Sequence, residues 1–343
     1  MSNAPAFPVA RRSGSARRLL WIAAFAGLLG LAGLLSLAFG ARVTSLAEIA
    51  AGLSGDPQTM GEAAVASRVA RTALAALAGA ALGLAGAVMQ GLTRNPLADP
   101  GILGVNAGAA LAVVIALASF GLGTVTGYIL CATFGAALAA VGVYTIASLG
   151  AGGATPLKLA LAGAALTAAL TSLTTAVVLP RGDIAGLVQS WLVGGVGGAT
   201  WDRIVPVLPF VAVGAALSLL SGRKLNLLAL GDDAAAGLGE RVWVARAMAA
   251  LGAVMLCGAT TAACGPIGFE GLVVPHLCRL VLGVDYRWIL PASALAGASL
   301  LVLADVVGRI VVRPGELDVG IVTAFLGAPV FIWIVRRRRV AAL

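Results

Sequence analysis

The side chains in this sequence that could do chemistry are few, and most of them sit beside helix breakers. Residues 90 to 108 bring Gln90, Arg94, Asn95 and Asp99 together with Pro96, Pro100 and Gly101, between two long apolar segments. Such polar groups are costly in lipid, and each proline interrupts a helix. The segment must therefore lie at a membrane surface or line a protein interior, because bare backbone is not tolerated against hydrocarbon. A second set of breaks, Gly265-Pro266-Ile267-Gly268-Phe269 and then Pro275-His276, punctuates the C-terminal third. Elsewhere Arg68 and Arg71 stand one helical turn apart, and Thr167, Thr171, Thr174 and Thr175 recur at the spacing of one helical face. The arginines can pair locally, Arg309 with Asp305 at i−4 and Arg68 with Glu62, or present charge to a partner. The threonines can line a wet passage, back-bond to their own helix or pack between helices.

None of this is catalytic machinery. The only histidine, His276, has no second histidine with which to complete a metal site and reads as a packing or loop residue. Cys131, Cys257, Cys264 and Cys278 lie in apolar surroundings without a Cys-x-x-Cys pair, as small buried hydrophobes do, so no metal is expected. There is no phosphate-cradling G-x-x-x-x-G-K-[ST] loop, and the dipeptide Gly-Lys does not occur, so no nucleotide is expected on this chain. A self-powered transporter needs carboxylates at mid-membrane. Here almost every Asp and Glu falls in a predicted loop or near a span end, Asp305 being the chief exception. Energy is expected to come from a partner.

The elements that must position these residues are membrane helices. Of 343 residues, 60% are hydrophobic and 11% charged, a balance far from that of a soluble domain. A span takes about 20 apolar residues, which leaves room for roughly ten spans with short connections. Abundant alanine and 46 glycines suit helices packed closely in lipid. Hydropathy predicts spans over 19–40, 68–92, 98–118, 125–149, 158–179, 203–221, 243–263, 266–282, 288–308 and 318–335, and residues 184–200 could add a partial helix. The run from Leu19 to Gly40 is too long for a signal-peptide core and reads as an uncleaved first span. The net charge of +9 falls largely beside span ends, as in cytoplasmic loops, and not on a nucleic-acid surface. This puts both termini on the cytoplasmic side, with a basic tail over 1–18, one transmembrane domain over 19–335 and a second basic tail over 336–343. Within the inner loop, Leu230-Gly231-Asp232-Asp233-Ala234-Ala235 runs to Leu238-Gly239. An acidic start, an alanine body and a glycine stop predict a short helix near 230–240, either an ordinary surface helix or a docking element.

Taken in order, Asn95-Pro96-Leu-Ala-Asp99-Pro100-Gly101, Gly265-Pro266-Ile-Gly268-Phe269, Gly271-Leu-Val-Val-Pro275-His276, Asp285-Tyr-Arg287, Leu303-Ala-Asp305 and Gly320-Ile-Val-Thr-Ala resemble the FecCD-type permeases. These are the membrane subunits of ABC importers for ferric siderophores, haem and cobalamin, and the resemblance spans roughly residues 65 to 335. It implies an all-α polytopic fold of about ten helices, the type II importer permease fold, in the bacterial cytoplasmic membrane. It also implies two permease copies, two cytoplasmic ATPase subunits carrying ATP and magnesium, and an extracytoplasmic substrate-binding protein. On the same resemblance Leu230 to Gly239 form the helix that couples to the ATPase, and the fifth span, with its four threonines, lines the path. Arg68, Arg71 and Arg309 would receive carboxylates of the binding protein, although Val69-Ala70 replaces the family's usual Leu-Pro between the first two. The function expected is import of an iron–siderophore complex, with haem or cobalamin as alternatives. A secondary transporter and a passive channel are rivals from other classes.

Overall fold

A computed structural model describes residues 14–40, 44–53, 59–101, 104–121, 124–149 and 155–341. These residues form helices and connecting turns. In chain order they are α1 (Ser15–Ala38), α2 (Leu46–Gly52), α3 (Met60–Leu92), α4 (Val105–Phe120), α5 (Val125–Ser148), α6 (Pro156–Val178), α7 (Gly182–Val193) and α8 (Trp201–Ile204). After a 3-10 turn come α9 (Leu208–Leu220), α10 (Gly222–Leu228), α11 (Asp232–Gly237), α12 (Val242–Cys264), α13 (Glu270–Leu282), α14 (Tyr286–Val311) and α15 (Val319–Ala341). Among the described residues, seven segments are long and apolar enough to cross a membrane, and Val105–Phe120 and Val319–Trp333 are shorter apolar helices.

Local chemistry explains the ends. Thr59 and Glu62 close a capping box at the start of α3, and Ser45 and Glu48 close another on α2. Pro156 begins α6, where its missing N–H leaves nothing unpaired. The expected second span therefore starts at Met60, not 68, because a capped polar turn extends it. The third begins at Val105, not 98, since the prolines hold residues 95–101 out of helix and Gly104 is left-handed. The eighth begins at Glu270, not 266, after the left-handed residues Gly265 and Phe269. The partial helix left open over 184–200 is α7.

α3 is the axis of the bundle. Residues 81 to 91 are buried without interruption, as in a helix covered on every side. α14 and α13 pack on one flank of it and α12 on another; α1 lies outside α14, and α4, α5 and α9 lie beyond α12. Close approach at this axis is made by glycine. A Cβ on Gly79 would overlap the Gly297 carbonyl, one on Gly83 the Ser293 carbonyl, and one on Gly86 the Gly271 backbone. Between helices in lipid, such backbone contact supplies the dispersion energy that a hydrophobic drive cannot.

Gly86→Ala should therefore push α3 off α13 and lower the stability of the purified protein by about 1–3 kcal/mol, the usual cost of overpacking. Gly142→Ala, whose new methyl would meet only Leu166 Cδ2 at 3.5 Å, should be near neutral. Thermal unfolding of the two variants in the same detergent compares them directly.

Candidate functional site

The two series of helix breaks fold against each other. Gly271 lies against Pro100 and Asp99, and Asn106 Nδ2 donates to the carbonyl of Ile267 at 3.3 Å. Backbone groups freed by the breaks find partners inside the protein. Gly195 N–H donates to Cys264 O at 2.7 Å, and Gly320 N–H to Gly194 O at 2.9 Å, stitching α7, α12 and α15. In α13 the carbonyl of Gly271 would ordinarily accept from residue 275, which is proline and has no N–H. Gln90 Nε2 takes that place at 2.9 Å and also reaches Leu272 O at 3.3 Å. Its own oxygen accepts from Arg279. Gln90 was legible as a costly polar residue, but its partner 181 positions away was not. Asp99 Oδ1 accepts from Gly101 N–H at 2.7 Å and Asn95 Oδ1 from Leu97 N–H at 3.0 Å, which shapes the loop around Pro96 and Pro100. His276 is half-buried on α13.

One acidic residue escaped the sequence reading. Glu270, expected beside a span end, is 1% exposed, and Asp99 is buried near it. Both stand where the sequence put them, Glu270 at the start of a helix and Asp99 in a loop, but packing of the two breaks buries them, which hydropathy along the chain does not register.

At the end of the bundle where α3 finishes, the chain turns through Arg94 in a left-handed conformation. Asn95 N–H donates to Gln90 O and Arg94 N–H to Gly91 O, a Schellman-type close with arginine where glycine is usual. Anchoring holds the strained residue. Arg94 Nε donates to Leu228 O at 2.6 Å, and its guanidinium pairs with Asp232, the first residue of α11. Arg246 of α12 reaches the same carboxylate at 2.9 Å. Lys224–Glu240, at 2.8 Å, ties α10 to the segment after α11. The predicted short helix exists, and Asp232 fastens it to α3 and α12. Asp233, Ala234, Ala236 and Gly237 are exposed on it, with Leu230, Leu238 and Gly239 exposed beside it; Leu230 and Leu238 are 64% and 63% exposed. Gly231 is half-buried, and Ala235, expected on a docking face, is turned fully inward.

The three arginines do come together, at the opposite end, but they are engaged within the chain. Asp305 is the hub: Arg71 Nη2 meets it at 2.8 Å and Arg309 Nε at 3.1 Å. Arg309, 2% exposed, also donates to Ser36 Oγ at 2.6 Å and Ser36 O at 3.1 Å on α1. Arg68 is buried and donates to Leu37 O at 2.8 Å. Arg71 alone reaches the rim, where it pairs with Glu316 at 2.6 Å. The open basic surface expected of all three is corrected to an internal cluster joining α1, α3 and α14. Local pairing of Arg309 with Asp305 was one of the two readings open in the sequence. Glu316 gave no signal there.

The threonines of α6 do not share one environment. Thr171 and Thr175 are exposed, Thr167 is half-buried, and Thr174 is buried. Thr174 and Thr175 donate to Leu170 O at 2.9 Å and Thr171 O at 3.0 Å, the back-bonding that the stripe left open.

Helices broken inside an apolar bundle, with an anchored polar helix at one end, define a multi-span transport subunit. A sequence model of the FecCD transport family matches residues 28–337, and the chain belongs to that family. It is 44% identical over 312 residues to the ferric enterobactin transport system permease protein FepD of Escherichia coli K12, covering 91% of this chain and 93% of that one. It is 40% identical over 286 residues to the hemin transport system permease protein HmuU of Yersinia pestis, covering 79% and 82%. It also matches the solved inward-facing structure of an ABC transporter assigned to the metal-chelate type. There the TM-score is 0.79 at 26% identity, covering 93% of this chain and 99% of that one.

Asp285 holds α10 to the start of α14. Its carboxylate pairs with Arg287 at 2.8 Å and accepts from Asn226 Nδ2 at 2.7 Å. The Arg287 guanidinium, with help from Asn226, pulls its pKa down to about 2. A lowered folded value means stability that is present at neutral pH and lost as pH falls through the folded pKa. Asp285→Asn should cost about 2 kcal/mol at pH 7. The gap to wild type should close between about pH 4 and pH 2 in denaturation midpoints measured against pH.

Proposed function

We propose that this chain is the membrane-spanning permease of an ATP-driven importer, carrying a ferric siderophore handed over by an extracytoplasmic binding protein. The observation that carries this reading is the short helix α11, exposed on one face and fastened through Asp232 to the end of α3. That is what an element needs if it is to receive motion and pass it to the hinges. Identity at the 44% level with a ferric enterobactin permease over nine-tenths of both chains supports the siderophore. The hemin permease at 40% keeps haem as a second reading.

In this proposal α11 faces the cytoplasm, both termini lie on that side, and the arginine cluster faces outward. Two copies of the chain enclose the path, with Thr171 and Thr175 of α6 toward it. ATP and magnesium belong to two separate ATPase subunits. At the outer end only Arg71 can exchange its Glu316 partner for a carboxylate of the binding protein, while Arg68 and Arg309 brace it.

Reconstitution in proteoliposomes with the ATPase and binding protein tests the proposal. ATP-dependent uptake of iron-labelled catecholate siderophore is expected, and the chain alone should neither bind nor hydrolyse ATP. Uptake of haem but not siderophore would replace the substrate, and uptake without any ATPase would overturn the class. Leu238→Asp should loosen the ATPase in co-purification while leaving the permease folded, because Leu238 is an exposed apolar contact. Ala235→Arg should lower yield of the permease itself, since it buries a charge. Thr171→Leu with Thr175→Leu should slow uptake several-fold without changing ATPase binding; unchanged uptake would place that face against lipid.

A further inference from the structure

Gln90 can serve the Gly271 carbonyl in only one of its two amide orientations, and Arg279 decides which. A guanidinium has donors and no acceptor, so the Gln90 oxygen that meets it leaves the amide nitrogen facing the other way. There the nitrogen lies 2.9 Å from Gly271 O and 3.3 Å from Leu272 O. The first of these carbonyls gets no donor from its own helix, because residue 275 is proline. Without Arg279 the amide could turn, and its oxygen would then face two other oxygens.

Arg279 is itself held from its other side. Its Nη2 donates to Tyr286 Oη at 3.3 Å, and its guanidinium carbon stands 5.7 Å from the centre of the Tyr286 ring. Tyr286, the first residue of α14, is buried, and a Cβ on Gly91 of α3 would come within 2.9 Å of its ring. The glycine next to Gln90 thus makes room for that ring. Tyr286 N–H donates to Asn226 Oδ1 at 2.9 Å, and Asn226 Nδ2 donates to Asp285 Oδ1 at 2.7 Å. Asn226 belongs to α10, whose last residue, Leu228, accepts from Arg94. From α10 to the Gly271 carbonyl the contacts run without a gap, through α14, α13 and α3 in turn.

We propose that Arg279 is a positioning residue for the turn of α13 ahead of Pro275. It keeps the Gln90 amide aimed at Gly271 while Asn226 holds Tyr286, and lets the amide go when α10 moves. The inner loop then acts on α13 as well as on α3, which it grips through Arg94. The use of this relay in transport rests on the importer reading; the relay as a physical device does not.

Hydrogen–deuterium exchange of the full-length chain in lipid nanodiscs, without ATPase or substrate, tests the relay apart from the importer reading. Arg279→Met should speed exchange over residues 271–277 several-fold, since a carbonyl without a donor makes that turn easier to open. Gln90→Ala should do the same, and the two together should add nothing, because each removes the same donor from Gly271 O. Asn226→Ala, on α10, should raise exchange over those residues while α12 exchanges as in the wild type. Additive effects of the first two, or no response to Asn226→Ala, would mean that Arg279 only fills space and would overturn the proposal. If Arg279→Met fails to fold, Gln90→Glu decides. Its carboxylate keeps Arg279 as partner but offers Gly271 O no donor, so exchange should rise, and wild-type exchange would again overturn the proposal. In proteoliposomes with ATPase and binding protein, Asn226→Ala should lower uptake per ATP hydrolysed several-fold. Full coupling in that variant would overturn the transmitting role, whereas a wild type without ATP-driven uptake would strike the importer reading instead.

Discussion

A backbone carbonyl without a partner inside hydrocarbon costs several kcal/mol, and this fold is organised around avoiding that cost at two broken helices. Pro275 removes one N–H from α13, and Gln90 of α3 supplies the replacement to Gly271. The exchange works only because α3 runs within backbone contact of α13, which Gly86 permits. Any larger residue there would separate the helices and strand the carbonyl. The glycine axis and the polar bridge are therefore one device: the first sets the distance, the second uses it.

The same helix carries that device to a surface. Four residues after Gln90, Arg94 ends α3 in a left-handed turn and grips both Leu228 O and Asp232. A strained non-glycine residue persists where its surroundings over-determine it. Here the surroundings are α10 and α11, so in the proposed transport role a displacement of α11 would pull on α3 and through it on the breaks at 95–101 and 265–271. At the far end Asp305 binds Arg71 and Arg309 and ties α1 and α14 to α3. Breaking one partner of such a buried pair costs about 3–5 kcal/mol, whereas the intact cluster contributes little net stability. Its role is to hold one arrangement of the helices.

Much of this was legible in the sequence because membranes impose a strong code. Apolar runs of span length gave most of the helices within a few residues, and the breaks at Pro96, Pro100, Gly265 and Pro266 lie where the helices stop. Boundaries erred where capping or left-handed residues decide them: Thr59 and Glu62 lengthen α3, and Phe269 delays α13. Partners across space were the main loss. Nothing in the local pattern links Gln90 to Gly271, Arg94 to Asp232 or Arg71 to Glu316. Periodicity showed that Ala235 lies on a short helix but not which side of it packs inward. Hydropathy likewise put Glu270 near a span end, where it does stand, but could not show that the neighbouring helices bury it there.

The central claim is that motion at α11 reaches the hinges through the Asp232–Arg94 pair. A double-mutant cycle on uptake per ATP hydrolysed, in proteoliposomes containing the ATPase, tests it most directly. Arg94→Asp and Asp232→Arg should each uncouple uptake from hydrolysis while the ATPase stays bound, and the charge-swapped double variant should recover part of the coupling. Independent, additive effects of the two substitutions, or normal coupling in either single variant, would contradict the account.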